Sequence, residues 1–98
     1  MEKRELLEAA ARAAGLWDAE NNCIDIPWNP LINNGDAFWL AVKLDIHITI
    51  SEYKRTVCRQ GDQFRSIEEH GDDKFAATRL AITRAAAAID AQRRESNG

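Results

Sequence analysis

The clearest rhythm in the chain is Ile46-His47-Ile48-Thr49-Ile50, where apolar and polar residues alternate strictly. That is the period of a strand with one buried face, so the three isoleucines are expected inward and His47 outward. Tyr53 to Arg59 is rich in β-formers, and Gln63 to Glu69 has the length of a third strand. Ser51-Glu52 and Gln60-Gly61-Asp62 are short enough to close antiparallel hairpins. The middle strand offers two faces, Tyr53, Arg55 and Val57 on one and Lys54, Thr56 and Cys58 on the other. The pattern leaves open which of them is buried.

On either side of this region the period lengthens to that of a helix. Glu2 to Ala14 consists of strong helix formers, with Leu6, Leu7, Ala10, Ala13 and Ala14 as an apolar stripe and Gly15 as a natural C-terminal cap. From Asp18 to Gly35 the turn formers Asn21-Asn22, Pro27, Asn29-Pro30 and Asn33-Asn34-Gly35 break the pattern. Ile24, Ile26, Trp28, Leu31 and Ile32 are too apolar for a solvated linker. This stretch therefore reads as an ordered connection across the core edge, with Trp28 and Leu31 inserted. A short helix is expected over Gly35 to Leu44, apolar over most of its circumference, with Asn34 or Asp36 as its cap. The final helix starts from Gly71-Asp72-Asp73, buries a face of Phe75, Ile82, Ala85, Ala86 and Ile89, and ends near Arg93-Arg94. The order α-α-β-β-β-α predicts an α+β fold, in which helices cover a small three-stranded antiparallel sheet. Residues 1–92 would form one domain, and 93–98 a flexible polar tail.

Composition narrows the classes. A chain of 98 residues with 45% hydrophobic and 30% charged residues is ordinary for one globular domain. A formal net charge of −3 argues against nucleic acid as the partner. No apolar run reaches the roughly 18–20 residues needed to cross a bilayer. The charged start, Met1-Glu2-Lys3-Arg4-Glu5, lacks the pattern of a secretory leader, so the expected place is the cytoplasm and the membrane is not an expected partner. Cys23 and Cys58 stand far apart, belong to no C-x-x-C pair, and are expected as free thiols. Neither a phosphate-binding glycine loop nor a nucleophile elbow occurs. No cofactor, metal or catalytic residue is predicted, and the chain is not expected to be an enzyme.

Three segments carry a family resemblance. They are Ala14-Gly15-Leu16-Trp17; Trp28-Asn29-Pro30-Leu31 followed by Gly35-Asp36-Ala37-Phe38-Trp39-Leu40-Ala41-Val42; and Phe75-Ala76-Ala77-Thr78-Arg79 running into Ala81-Ile82 and Ala85-Ala86. In order and spacing they resemble the phage ABA sandwich domain of small tailed-phage and prophage proteins. The resemblance spans Gly15 to Ile89, and its middle block is the most specific part. It implies phage origin, cytoplasm of a host cell, and a helix/sheet/helix sandwich. It transfers no catalytic motif. Phe38-Trp39 departs from the family pattern, which usually has a smaller or basic residue beside the leucine.

The candidate binding residues are Trp39, Lys54, Arg55, Arg59, Arg65 and Arg79. Tryptophan is enriched among binding hot spots, and Trp39 is the one of three tryptophans expected to be partly exposed. Lys54, Arg55, Arg59 and Arg65 gather on the predicted hairpins, where cross-strand pairing could bring Arg59 and Arg65 together against an anionic ligand or an acidic protein surface. Arg79 lies beside the apolar face of the last helix. His47, His70, Asp36 and the pairs Glu68-Glu69 and Asp72-Asp73 read as solvated or capping groups. The resulting expectation is a non-catalytic phage accessory protein that binds and modulates a host protein, for example as a counter-defence inhibitor. The second reading is an oligomeric binder that sequesters an anionic nucleotide signal, with homo-oligomers supplying the pocket. A small enzyme is the third.

Overall fold

The structure, a computed structural model, describes residues 2–51 and 53–97. Its elements run α1 (Lys3–Ala14), β1 (Trp17–Asp18), β2 (Cys23–Ile24), α2 (Asn34–Lys43), β3 (Ile46–Ser51), β4 (Arg55–Gln60), β5 (Gln63–Glu69) and α3 (Lys74–Asn97). Of the expected turn and tail, Glu52 and Gly98 lie outside the described residues, as does Met1.

The helix ends follow from local chemistry. Gly15 takes φ +79°, which a side chain resists, and so the N–H groups of Gly15 and Leu16 fold back onto the carbonyls of Arg12 and Ala11. The cap of α2 is Asn33, one position earlier than expected: its Oδ1 accepts the Asp36 N–H at 2.9 Å. Asp36 instead reaches back to the Asn29 N–H at 2.8 Å, tying the Asn-Pro turn to the helix. Asp73 Oδ1 accepts from both Phe75 and Ala76 and starts α3. That helix continues through the polar positions expected to form a tail, and Arg93 donates to the Ala13 carbonyl at 2.9 Å.

The main sheet has the order β3-β4-β5 with antiparallel neighbours. The connection before α2, expected as an ordered crossing of the core edge, also contains a short ribbon of β1 and β2 that its turn formers do not signal. Asp18 turns this ribbon by accepting from Glu20 and twice from Asn21. Those bonds, the Asn21 side chain foremost, hold its carboxyl below the usual value.

The α+β class and the order of elements are as expected. On β4, Thr56 and Cys58 are fully buried toward the helices, which decides the face that the pattern left open. α3 packs along β5 and β4, α1 packs on α3, and α2 lies against α3 beside β3. The layers thus run sheet, α3, α1 from one side, and the second sheet face is uncovered. A sheet held between helices would bury that face; here its residues are exposed apart from the half-buried Ser51 and Val57.

Alanine lets the helices approach closely. Ala10, Ala81, Ala85 and Ala86 have no exposed surface, and Leu40, Ile82 and Ile89 fill the space between the three helices and the sheet. Pro30 is fully buried, and Trp28 and Leu31 pack against the core as the connection was expected to do. Polar bonds fix the layers in place. Ser66 Oγ donates to the Ala81 carbonyl at 2.6 Å, joining sheet to α3, and Arg12 meets Asp90 at 3.1 Å, joining α1 to α3. Two expectations fail for a common reason. Phe75 is exposed rather than core-facing, and Ile48 and Ile50 protrude although they share the helix-side face with Ile46. The start of α3 and the first half of α2 stand on either side of Ile48 and Ile50 without closing over them, and the cleft left between the two helices opens to solvent.

Candidate functional site

Register makes the uncovered sheet face a grid of nine residues. Across β3, β4 and β5 its rows are Ser51, Arg55, Glu69; Thr49, Val57, Ile67; and His47, Arg59, Phe64. Val57 and Ser51 are half-buried and the others are exposed. His47 thus points outward as the alternation predicted. The Arg59 guanidinium lies over the Phe64 ring, 5.9 Å from its centroid, at the outer limit of cation–π attraction. Arg55 stands at the other end of β4 between Ser51 and Glu69. At about 3.3 Å per strand residue the two arginines are separated by about 13 Å along β4. Between them lie Val57 and Ile67. The face has two cations, one anion and an apolar centre on a chain whose net charge is −3.

The other predicted residues are placed differently. Lys54 sits in the β3–β4 turn beside Arg55, exposed, with its backbone in the left-handed region at φ +60°. Arg65 does not join Arg59. The register shifts between Cys58 and Arg59, so that Arg59 faces Phe64 and Arg65 is the extra residue of a bulge. Its guanidinium donates to Gln60 at 2.9 Å, while Gln60 donates to the Leu44 carbonyl, so the side chain is half-buried in a structural relay. Arg79 is a clamp. It donates to the Leu31 carbonyl at 2.9 Å and to Asn34 Oδ1 at 2.7 Å, anchoring the loop before α2 onto α3. Trp39 lies on α2, away from the sheet face, partly exposed and edge-on to Trp28 with ring centroids 6.4 Å apart.

Sequence reasoning missed the apolar members of this face. Phe64 and Ile67 belong to a strand whose pattern alternates weakly, and only pairing with β4 shows which side they take. Strict alternation in β3, with His47 and Thr49 opposite the isoleucines, was the available signal for the outward face.

The remaining chemistry-bearing groups serve the fold. His70 Nε2 lies 2.8 Å from Thr56 Oγ1, which lies 2.8 Å from Thr78 Oγ1, a chain that ties β4 to the start of α3. Cys58 is buried and Cys23 exposed, both as free thiols. Burial pushes the Cys58 thiol above its ordinary value of 9.0, with a bond to Ser66 partly offsetting this. Among the described residues, no three His, Cys, Asp or Glu side chains gather closely enough to hold a metal ion. No helix among the described residues is long and apolar enough to cross a membrane. Comparison with protein-family models, with curated proteins and with solved structures gives no match.

Proposed function

We propose that the protein is a small non-catalytic accessory protein, of the phage type it resembles, that binds and modulates a host protein through its uncovered sheet face. The partner surface is acidic, with an apolar centre. The observation that carries this reading is the disposition of Arg55 and Arg59 at opposite ends of β4, with Val57, Ile67 and Phe64 beside and between them. Carboxylates about 13 Å apart occur on one face of a helix or along an extended strand. Arginine recognises each by paired donors, and the apolar centre supplies the desolvated area that such contacts need. Inhibition of a defence component is the form of modulation in keeping with the resemblance. The second reading, sequestration of an anionic nucleotide, needs both guanidiniums on one compact ligand, and their separation disfavours it.

The test is quantitative capture from host lysate by the wild type, by the double reversal R55E/R59E, and by a Lys3→Glu control on the opposite side of the molecule. A stoichiometric protein retained by wild type and control but lost by the double reversal supports the reading. A partner held equally by all three sinks it. Calorimetric heat with cyclic or ADP-ribose-like nucleotides, absent in the double reversal, would favour the second reading instead.

A further inference from the structure

We propose that β3 is the dimer edge of this protein, pairing antiparallel with β3 of a second copy to form one six-stranded sheet. The two edges of the sheet are built differently. β5 carries the Arg65 bulge and the charges of Arg65, Glu68 and Glu69, devices that keep an edge from pairing with another chain. β3, Ile46-His47-Ile48-Thr49-Ile50-Ser51, has no Lys, Arg, Asp, Glu or Pro, and its pairing with β4 is continuous through all six residues. Among the described residues, its backbone groups on the outer side have no partner strand. An unprotected edge beside a protected one marks the side on which pairing is meant to occur.

The side chains favour a second copy as the occupant. Across a twofold axis at Ile48, Ile48 faces its own counterpart, Ile46 faces Ile50, and His47 faces Thr49. Every apolar residue of the strand then meets an apolar one, and no charge is set against a like charge. The apolar surface continues beyond the strand. Phe38 of α2 and Phe75 at the start of α3 flank Ile48 and Ile50 and are 70% and 62% exposed, and Ile50 is 60% exposed. Val42 adjoins Phe38 and is 61% exposed. At roughly 100 Å² of exposed apolar surface for each of these five side chains, one copy presents about 500 Å². Two copies around a twofold axis remove about 1,000 Å² before the strand backbone is included, which reaches the size of a specific interface. The axis stands perpendicular to the sheet, so both uncovered faces lie on the same side and double the arginine surface described above.

Sedimentation equilibrium in the hundred-micromolar range decides the matter. Twice the chain mass is expected for the wild type. Ile50→Lys and, separately, Phe38→Glu place a charge at exposed positions that the monomer tolerates. Each is expected to give the monomer mass, with the far-ultraviolet spectrum of the wild type retained. R55E/R59E is expected to remain dimeric, which separates this result from the fate of the binding face. A monomeric wild type, or a dimer whose mass neither I50K nor F38E changes, overturns the proposal.

Discussion

Removing Arg79 tests the division between scaffold and binding face. Its two bonds hold the loop before α2 against α3, and they are unequal. The donor to Asn34 reaches an exposed side chain and contributes about 0.5 kcal/mol. The donor to the Leu31 carbonyl is part-buried and charge-assisted, and losing it costs about 1.5–2 kcal/mol. Arg79→Ala is therefore expected to destabilise the fold by about 2 kcal/mol, with a little more from the lost alkyl stem. For a domain of this size that lowers Tm by roughly 10–15 °C. Arg79→Lys should recover less than half, because a single ammonium cannot serve two acceptors in the guanidinium geometry. Arg55→Ala and Arg59→Ala, by contrast, should stay within about 0.5 kcal/mol of wild type, since both residues stand in solvent. Urea unfolding followed by tryptophan fluorescence measures all four. An R79A protein as stable as wild type, or an R59A protein as weak as R79A, would refute the assignment of roles.

Four further outcomes are expected. Asp90 is buried against Arg12, so a double-mutant cycle of Arg12→Ala and Asp90→Ala in urea should return a coupling of about 1 kcal/mol, and a coupling near zero would remove the ion pair as a tie between α1 and α3. Under native conditions a thiol reagent should modify Cys23 within the mixing time and Cys58 only on unfolding. Because the folded chain keeps the Cys58 proton where the unfolded chain loses it, this residue's contribution to stability is intact below 9.0 and declines as pH rises further; Cys58→Ala should lessen that alkaline decline. Lys54→Gly should stabilise the fold by about 1 kcal/mol in thermal melts, since glycine takes φ +60° without the clash that a Cβ meets.

What the sequence made legible was whatever a single element determines for itself. The stop at Gly15, the start at Asp73 and the inner and outer residues of β3 all follow from spacing and local bonding. The depth of cover above a strand is a tertiary quantity. Ile46 and Ile50 have identical patterns, yet one is buried and the other bare because the cleft between α2 and α3 stays open above the second. The same applies to the arginines. Arg59 and Arg65 look equivalent on a hairpin until the bulge turns one of them to Gln60, and Arg79 resembles a surface cation until the loop carbonyl of Leu31 lies beside it. The candidate face was half visible, through Arg55, Arg59 and His47. Phe64 and Ile67 emerge only when register assigns them a side.

The Arg12–Asp90 tie joins residues 78 positions apart. At roughly 5–20 residues per second, a ribosome takes on the order of 4–16 s to travel between them. For that interval α1 has no α3 to pack on, and the alanine surface that later vanishes between the two helices is presented to solvent as a nascent amphipathic segment. The hairpins can close from local contacts meanwhile, so the isoleucine edge of β3 is complete before the helical layer behind it exists. Chaperone occupancy on the newly made chain is accordingly expected to persist until Asp90 is free to meet Arg12 and to fall once the two have paired.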